Sequence, residues 1–205
     1  MELGVLDIVK WFELSNEKIQ QNKDYLTSLD RPIGDGDHGI NMARGYQETV
    51  NKINTVDYAE PSAVLKDAAM VLLSKVGGAS GPLYGTAFLK MSVAVKGMVV
   101  LNLRTLTGGL AAALAGIKQR GKSELGEKTM IDIWGPVVDY FTKGEISSAG
   151  LMEIVSSALE TSKETMATKG RAAYFKEKSI GHLDPGSASS FYIFEALAEV
   201  IKEKE

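Results

Sequence analysis

The residues best suited to chemistry are three carboxylates within eight positions, in Asp30-Arg31-Pro32-Ile33-Gly34-Asp35-Gly36-Asp37-His38-Gly39. Glycines flank and separate Asp35 and Asp37, so the backbone can turn sharply and aim both side chains at one point. Asp30 stands one turn-length upstream, held by the stiff Arg31-Pro32 step. Carboxylates crowded in this way repel one another unless a cation neutralises them, and hard oxygen donors suit Mg²⁺ far better than Zn²⁺. For an isolated Asp-x-Asp, a solvated acidic loop is the plainer reading. A calcium loop does not fit: counting from Asp35, the sixth position is Ile40 instead of Gly and the twelfth is Tyr46 instead of Glu.

Other stretches suit phosphate. Gly77-Gly78-Ala79-Ser80-Gly81-Pro82 precedes a predicted helix, where small residues and the helix N-terminus favour an anion and Ser80 adds a hydroxyl. Such a turn can also serve only to turn. Arg171, in Lys169-Gly170-Arg171-Ala172, offers a guanidinium fork, with a surface arginine as the alternative. His38 and His182 are the only histidines; His38, beside Asp37, can hydrogen-bond a carboxylate or a phosphate, or be structural. Gly116-Ile117-Lys118-Gln119-Arg120-Gly121-Lys122-Ser123 matches the P-loop pattern letter by letter. That motif needs a buried strand before it, whereas Gly108 to Ala115 favours helix, so the match is accidental. No serine lies in a strand–turn–helix elbow, which leaves a nucleophilic triad unsupported.

Helices must position these loops. Val5, Ile8, Val9 and Phe12 share one helix face, as do Leu151, Ile154, Val155, Ala158 and Leu159, and again Phe191, Phe194, Leu197 and Ile201. Ser62–Lys75 follows Pro61, well placed at a first helical position. Gly81–Val100, Thr105–Arg120, Thr129–Phe141 and the segment after Gly39 bring the count to about eight helices. Met98–Leu103 has strand composition, but nothing nearby pairs with it. Breaks fall at 30–39, 56–60, 77–81, 121–128, 143–147 and 170–187, lengths typical of connections inside one domain. The expected fold is all-α, with the site built from loops at one end of a bundle.

The 205 residues suffice for a single domain over 1–205 with a sizeable core; 44% are hydrophobic and 24% charged. A net charge of −3 gives no footprint for nucleic acid or an anionic membrane, and the absence of cysteine excludes disulfides and thiolate chemistry. No signal peptide or membrane-length apolar run is visible, so a cytoplasmic enzyme or binding protein is expected.

In order, Gly34-Asp35-Gly36-Asp37-His38-Gly39, Gly77-Gly78-Ala79-Ser80-Gly81-Pro82, Gly121-Lys122, Lys128-Thr129-Met130, Gly170-Arg171-Ala172, Ser179-Ile180-Gly181-His182 and Asp184-Pro185-Gly186-Ser187 resemble the family of dihydroxyacetone kinase L subunits (DhaL). The likeness runs from about Trp11 to the C-terminus. It implies an eight-helix antiparallel barrel capped at one end by ADP, which cycles to ATP. Asp30, Asp35 and Asp37 would hold two Mg²⁺ ions as ligands, with no catalytic acid, base or nucleophile on this chain. Nucleotide contacts would fall on His38, Gly39, Ile40, Asn41, Ala79, Ser80, Gly121, Met130, Arg171, Asp184, Pro185 and Gly186. One departure is Glu127, where the family usually has Asp. The implied activity is phosphoryl transfer from a phosphohistidine-carrying M subunit, through the nucleotide, to dihydroxyacetone on a K subunit. A homodimer is compatible with the sequence. Two alternatives stay open: an ATP-exchanging kinase domain serving another acceptor, such as a fatty acid, and a non-catalytic ADP–Mg²⁺ regulatory partner.

Overall fold

The computed structural model describes all residues from Met1 to Glu205. Strand β1 (Glu2–Leu3) leads into helices α1 (Val5–Gln21) and α2 (Lys23–Asp30). There follow α3 (His38–Ile53), α4 (Pro61–Lys75), α5 (Ser80–Ala94), strand β2 (Leu101–Asn102), α6 (Leu103–Gly121), α7 (Ile131–Lys143), α8 (Ser148–Glu164), a 3-10 segment (Arg171–Ser179) and α9 (Pro185–Lys202). No helix is long and apolar enough to cross a membrane.

Local chemistry sets the boundaries. Side-chain oxygens of Asn102, Ser147 and Asp184 accept the backbone N–H groups of Thr105, Gly150 and Ser187 at 3.0, 3.0 and 2.6 Å, capping α6, α8 and α9. Pro61 and Pro185 occupy the first turns of α4 and α9, where no backbone donor is needed. Gly144, left-handed at φ 87°, ends α7.

Two details differ from the sequence expectation. Nine α-helices are present where about eight are predicted, because the N-terminal helix breaks at Asn22, whose side-chain amide donates to the Lys18 carbonyl at 2.9 Å. The fifth helix ends at Ala94 instead of Val100, and the strand-like run after it does have a partner. Leu101 and Asn102 pair antiparallel with Leu3 and Glu2, about a hundred residues away, beyond the reach of a local search.

The helices pack in a ring: α1 on α3, then each on the next through α8 on α9, with α9 closing back on α1. Helix α2 sits beside this ring of eight, against α3 and α9. The interior is filled by an aromatic chain in which Trp11 meets Phe88 at 5.7 Å between ring centroids, Phe88 meets Phe12 at 4.9 Å and Trp134 at 6.2 Å, and Trp134 meets Phe194 at 4.8 Å. All are essentially excluded from solvent, and truncating one to Ala should cost about 3–5 kcal/mol. This rigid interior fixes the helix ends. The connections α2–α3, α4–α5, α6–α7 and α8–α9 all contribute to one cleft, as follows when successive ring helices run in opposite directions.

Candidate functional site

The acidic loop is organised around Asp30, the last residue of α2. Its Oδ2 accepts the backbone N–H groups of Asp37 at 2.9 Å and His38 at 3.2 Å, so it closes the loop and caps α3 from outside. Its carboxylate leaves no room for a side chain at residue 34: a Cβ there would lie 1.8 Å from Asp30 Oδ1, which is why Gly34 is glycine. Asp30 is 9% exposed, while Asp35 and Asp37 face solvent. One carboxylate oxygen from each lies within 4.8 Å of the other two. Three hard, anionic donors with two of them open to water fit Mg²⁺, which keeps several of its waters and takes few protein ligands.

Arg171, from the 3-10 segment, forms an ion pair with Asp35. Desolvation raises the Asp35 carboxyl, but the hydrogen bond and charge of Arg171 outweigh it and hold it below the usual carboxylate range. The two loops are also joined by an apolar contact, in which Ile33 packs with Ala167 and Ala172.

His38 begins α3 and is 8% exposed. Its Nδ1 meets Ser80 Oγ at 3.2 Å and its Nε2 meets Ser189 Oγ at 2.9 Å. Ser189 in turn meets the Tyr84 hydroxyl at 2.7 Å, which also meets Ser190 Oγ at 2.8 Å and donates to the Gly186 carbonyl at 3.0 Å. Trp134 Nε1 donates to Ser190 Oγ at 3.1 Å. Burial pushes His38 down to about 4, against the opposing charge of Asp30 and a hydrogen bond to the Pro185 backbone, so the ring is neutral at physiological pH. It therefore acts as a neutral bridge that orients Ser80, and offers no positive charge to an anion.

Residues 122–130 and the start of α9, which also meets His38 through Ser189, build the rest of the cleft. Asp132 accepts the N–H groups of Gly126 at 2.5 Å and Thr129 at 2.7 Å, and Ser187 Oγ donates to the Thr129 carbonyl at 2.9 Å. Glu127, the departure noted in the sequence, holds the same loop by accepting the Glu124 N–H at 2.7 Å. Burial raises Asp184 to about 6, opposed by hydrogen bonds from Ser187. Lys128 is buried with its ammonium on main-chain carbonyls; desolvation lowers its pKa against the charges of Asp184, Glu164 and Asp132.

Together these walls enclose a cavity of about 590 Å³, within the range of small-molecule sites. Asp30, Asp35, Asp37, His38, Asn41, Ala79 and Ser80 line it, as do Gly121, Met130, Arg171, Asp184, Pro185 and Gly186. Gly39 and Ile40 do not. A Cβ on Gly39 would lie 2.0 Å from the Lys23 carbonyl, so its glycine serves the contact between α3 and α2, and the Ile40 side chain is 52% exposed. Both can present only backbone N–H groups, at a helix start that the Asp37 side chain does not cap. Sequence reasoning missed the apolar wall of Leu83 and Ile117 and the cations Arg120 and Lys169. Ile117 is visible in hindsight, one helical turn before Gly121, and Lys169 stands two residues from Arg171.

An all-helical ring carrying a carboxylate cluster and a glycine-rich helix start on one cleft defines the class, and residues 32–199 match the DAK2 domain model; the chain belongs to that family. Among individual proteins, it is 48% identical to the "PEP-dependent dihydroxyacetone kinase 1, ADP-binding subunit DhaL" of Listeria innocua, over 93% of this chain and 94% of that one. It is 47% identical to the "PTS-dependent dihydroxyacetone kinase, ADP-binding subunit DhaL" of Lactococcus lactis, over 94% and 96%. The corresponding Escherichia coli subunit is 39% identical over 99% of this chain and all of its own length. Among solved structures, the dihydroxyacetone kinase of C. freundii superposes with a TM-score of 0.75 at 22% identity, which shows the shared fold. The likeness covers 94% of this chain and 34% of that longer one.

Proposed function

We propose that this chain is the ADP-binding, phosphoryl-transferring subunit of a phosphoenolpyruvate-dependent dihydroxyacetone kinase, with residues 1–205 acting as one nucleotide-binding domain in the cytoplasm. The observation that carries the reading is the convergence of Asp30, Asp35 and Asp37 on one point, in a cleft that the start of α9 also lines. Full-length identity to named ADP-binding DhaL subunits supports it. The ring of eight helices is then the family's barrel, and its loop end the nucleotide cap.

Asp30, Asp35 and Asp37 would hold Mg²⁺, two ions by family resemblance, and the ions supply charge neutralisation on the nucleotide phosphates. The chain's own residues do the positioning. Ser80, oriented by neutral His38, and the free amides at the starts of α3 and α5 receive phosphate oxygens. Arg171 is placed to leave Asp35 for a phosphate, and Leu83, Ile117 and Met130 offer an apolar seat for the base. Phosphoryl transfer depends on such positioning more than on a protein nucleophile. The phosphoryl donor would be a phosphohistidine on an M-type subunit and the acceptor dihydroxyacetone on a K-type subunit.

The test is reconstitution with purified partner subunits. Dihydroxyacetone phosphate should form from phosphoenolpyruvate only when this chain is present with both partners and the general phosphotransferase proteins. Turnover by this chain alone would refute the assignment.

A further inference from the structure

We propose that Lys128 is a positioning residue for the cleft: its buried ammonium ties the end of α8 to the Thr129–Met130 wall, and thereby sets where Arg171 stands relative to the carboxylates. The inference deepens the nucleotide reading above and rests on it for its functional consequence.

Lys128 is 1% exposed and adopts a left-handed backbone at φ 59°, unfavourable for a residue with a side chain and retained where surroundings demand it. Its Nζ donates to the carbonyls of Ser162 at 2.7 Å, Lys163 at 3.1 Å and Thr165 at 2.9 Å. An ammonium has three N–H donors, and all three are engaged. They meet the C-terminal end of α8, where unpaired carbonyls and the helix dipole favour a cation. Although Lys128 lines the cleft, it has no donor left for a phosphate. Its contribution to the site is geometric.

What it holds is the connection carrying Arg171. Lys163 O accepts both Lys128 Nζ and, at 2.9 Å, the backbone N–H of Gly181, so one carbonyl pins the departure and the return of that connection. The adjacent Glu127 carbonyl accepts the Thr168 N–H at 3.3 Å. On the other side of Lys128, Thr129 is fixed to α7 through Asp132 and to α9 through Ser187. Three helix ends and the Arg171 connection therefore meet at residues 127–129. Without the ammonium, the carbonyls of Ser162, Lys163 and Thr165 each lose a charged donor, Ser162 O keeping the Thr165 N–H at 3.4 Å and Lys163 O the Gly181 N–H, and the base of the Arg171 connection loses its tie to Lys128.

The test uses Lys128→Met and Lys128→Arg in the full chain. Hydrogen exchange on protein freed of metal and nucleotide should show the amides of Ala167, Thr168 and Gly181 exchanging about tenfold faster or more in Lys128→Met, with α3–α5 unchanged. Lys128→Arg, which keeps charge and donors, should restore most of the protection. In calorimetric titration, Lys128→Met should lose about tenfold in Mg–ADP affinity. Adding Arg171→Ala, which weakens the parent, should then change affinity by less than about twofold, because the two residues act as one unit. Lys128→Gln, with two donors and no charge, gives the same comparison where the methionine variant does not fold. Unchanged exchange at Ala167, Thr168 and Gly181 overturns the proposal, as does full additivity with Arg171→Ala. A parent that takes up no Mg–ADP overturns the nucleotide reading instead, and the exchange result still decides what holds Arg171.

Discussion

Replacing Asp184 by Asn should make the protein more stable while weakening its site. Burial raises this carboxyl from 3.8 to about 6, Asp132 adds to the rise, and the Ser187 hydrogen bonds and the Lys128 charge oppose it. A group with a raised folded pKa binds protons more tightly in the folded state. Its favourable contribution is complete below about pH 4 and is lost as pH rises to about 6. Above that, the ionised carboxylate costs the native state up to about 3 kcal/mol, from 1.36 kcal/mol per tenfold change in proton affinity. Asn does not ionise and is an equally good N-cap, so the Ser187 N–H keeps an acceptor. Asp184→Asn should therefore be about 2–3 kcal/mol more stable than the parent near pH 7.5 and converge with it near pH 4. Urea unfolding of chelator-treated, nucleotide-free protein measures both, and calorimetry on the same variant should show weaker Mg–ADP binding. A variant less stable than the parent at neutral pH, or a difference that persists at acid pH, would refute the reasoning.

Other expectations separate ligand roles from structural ones. Asp35→Ala or Asp37→Ala should abolish Mg–ADP retention with helical circular dichroism unchanged, since both side chains are exposed; retained nucleotide in either would rule out the ligand assignment. Asp30→Ala should lose binding and also about 1–3 kcal/mol of stability in urea, because two backbone N–H groups lose their acceptor. Gly39→Ala should cost about 1–3 kcal/mol in the same assay and displace the start of α3, as the new methyl meets the Lys23 carbonyl. Tyr84→Phe should destabilise by about 1–3 kcal/mol, since Ser189, Ser190 and the Gly186 carbonyl share its hydroxyl.

Much of the site was legible because its chemistry is local. Asp30, Asp35 and Asp37 announce themselves by carboxylate crowding between glycines, whereas Asp184-Pro185 comes only through family resemblance and its role as the cap of α9 from the folded chain. What escaped the sequence depends on distant partners. The Leu101 strand pairs across about a hundred residues, and the break at Asn22 rests on one side-chain hydrogen bond inside a continuous helical pattern. Gly39 looks like a ligand-facing glycine, yet helix contact explains it. Lys128 stands out in the sequence only as part of the Lys128-Thr129-Met130 motif, and the folded end of α8 shows why it is buried.

The central claim, that the carboxylate loop and the cleft beside it hold Mg²⁺ and a nucleoside diphosphate, is tested most directly by denaturing the purified protein and identifying what it releases. Chromatography and metal analysis should find about one ADP per chain with Mg²⁺, and no release from Asp35→Ala prepared in parallel. Parent protein that releases neither nucleotide nor magnesium, and takes up no Mg–ADP when it is supplied, would contradict the account.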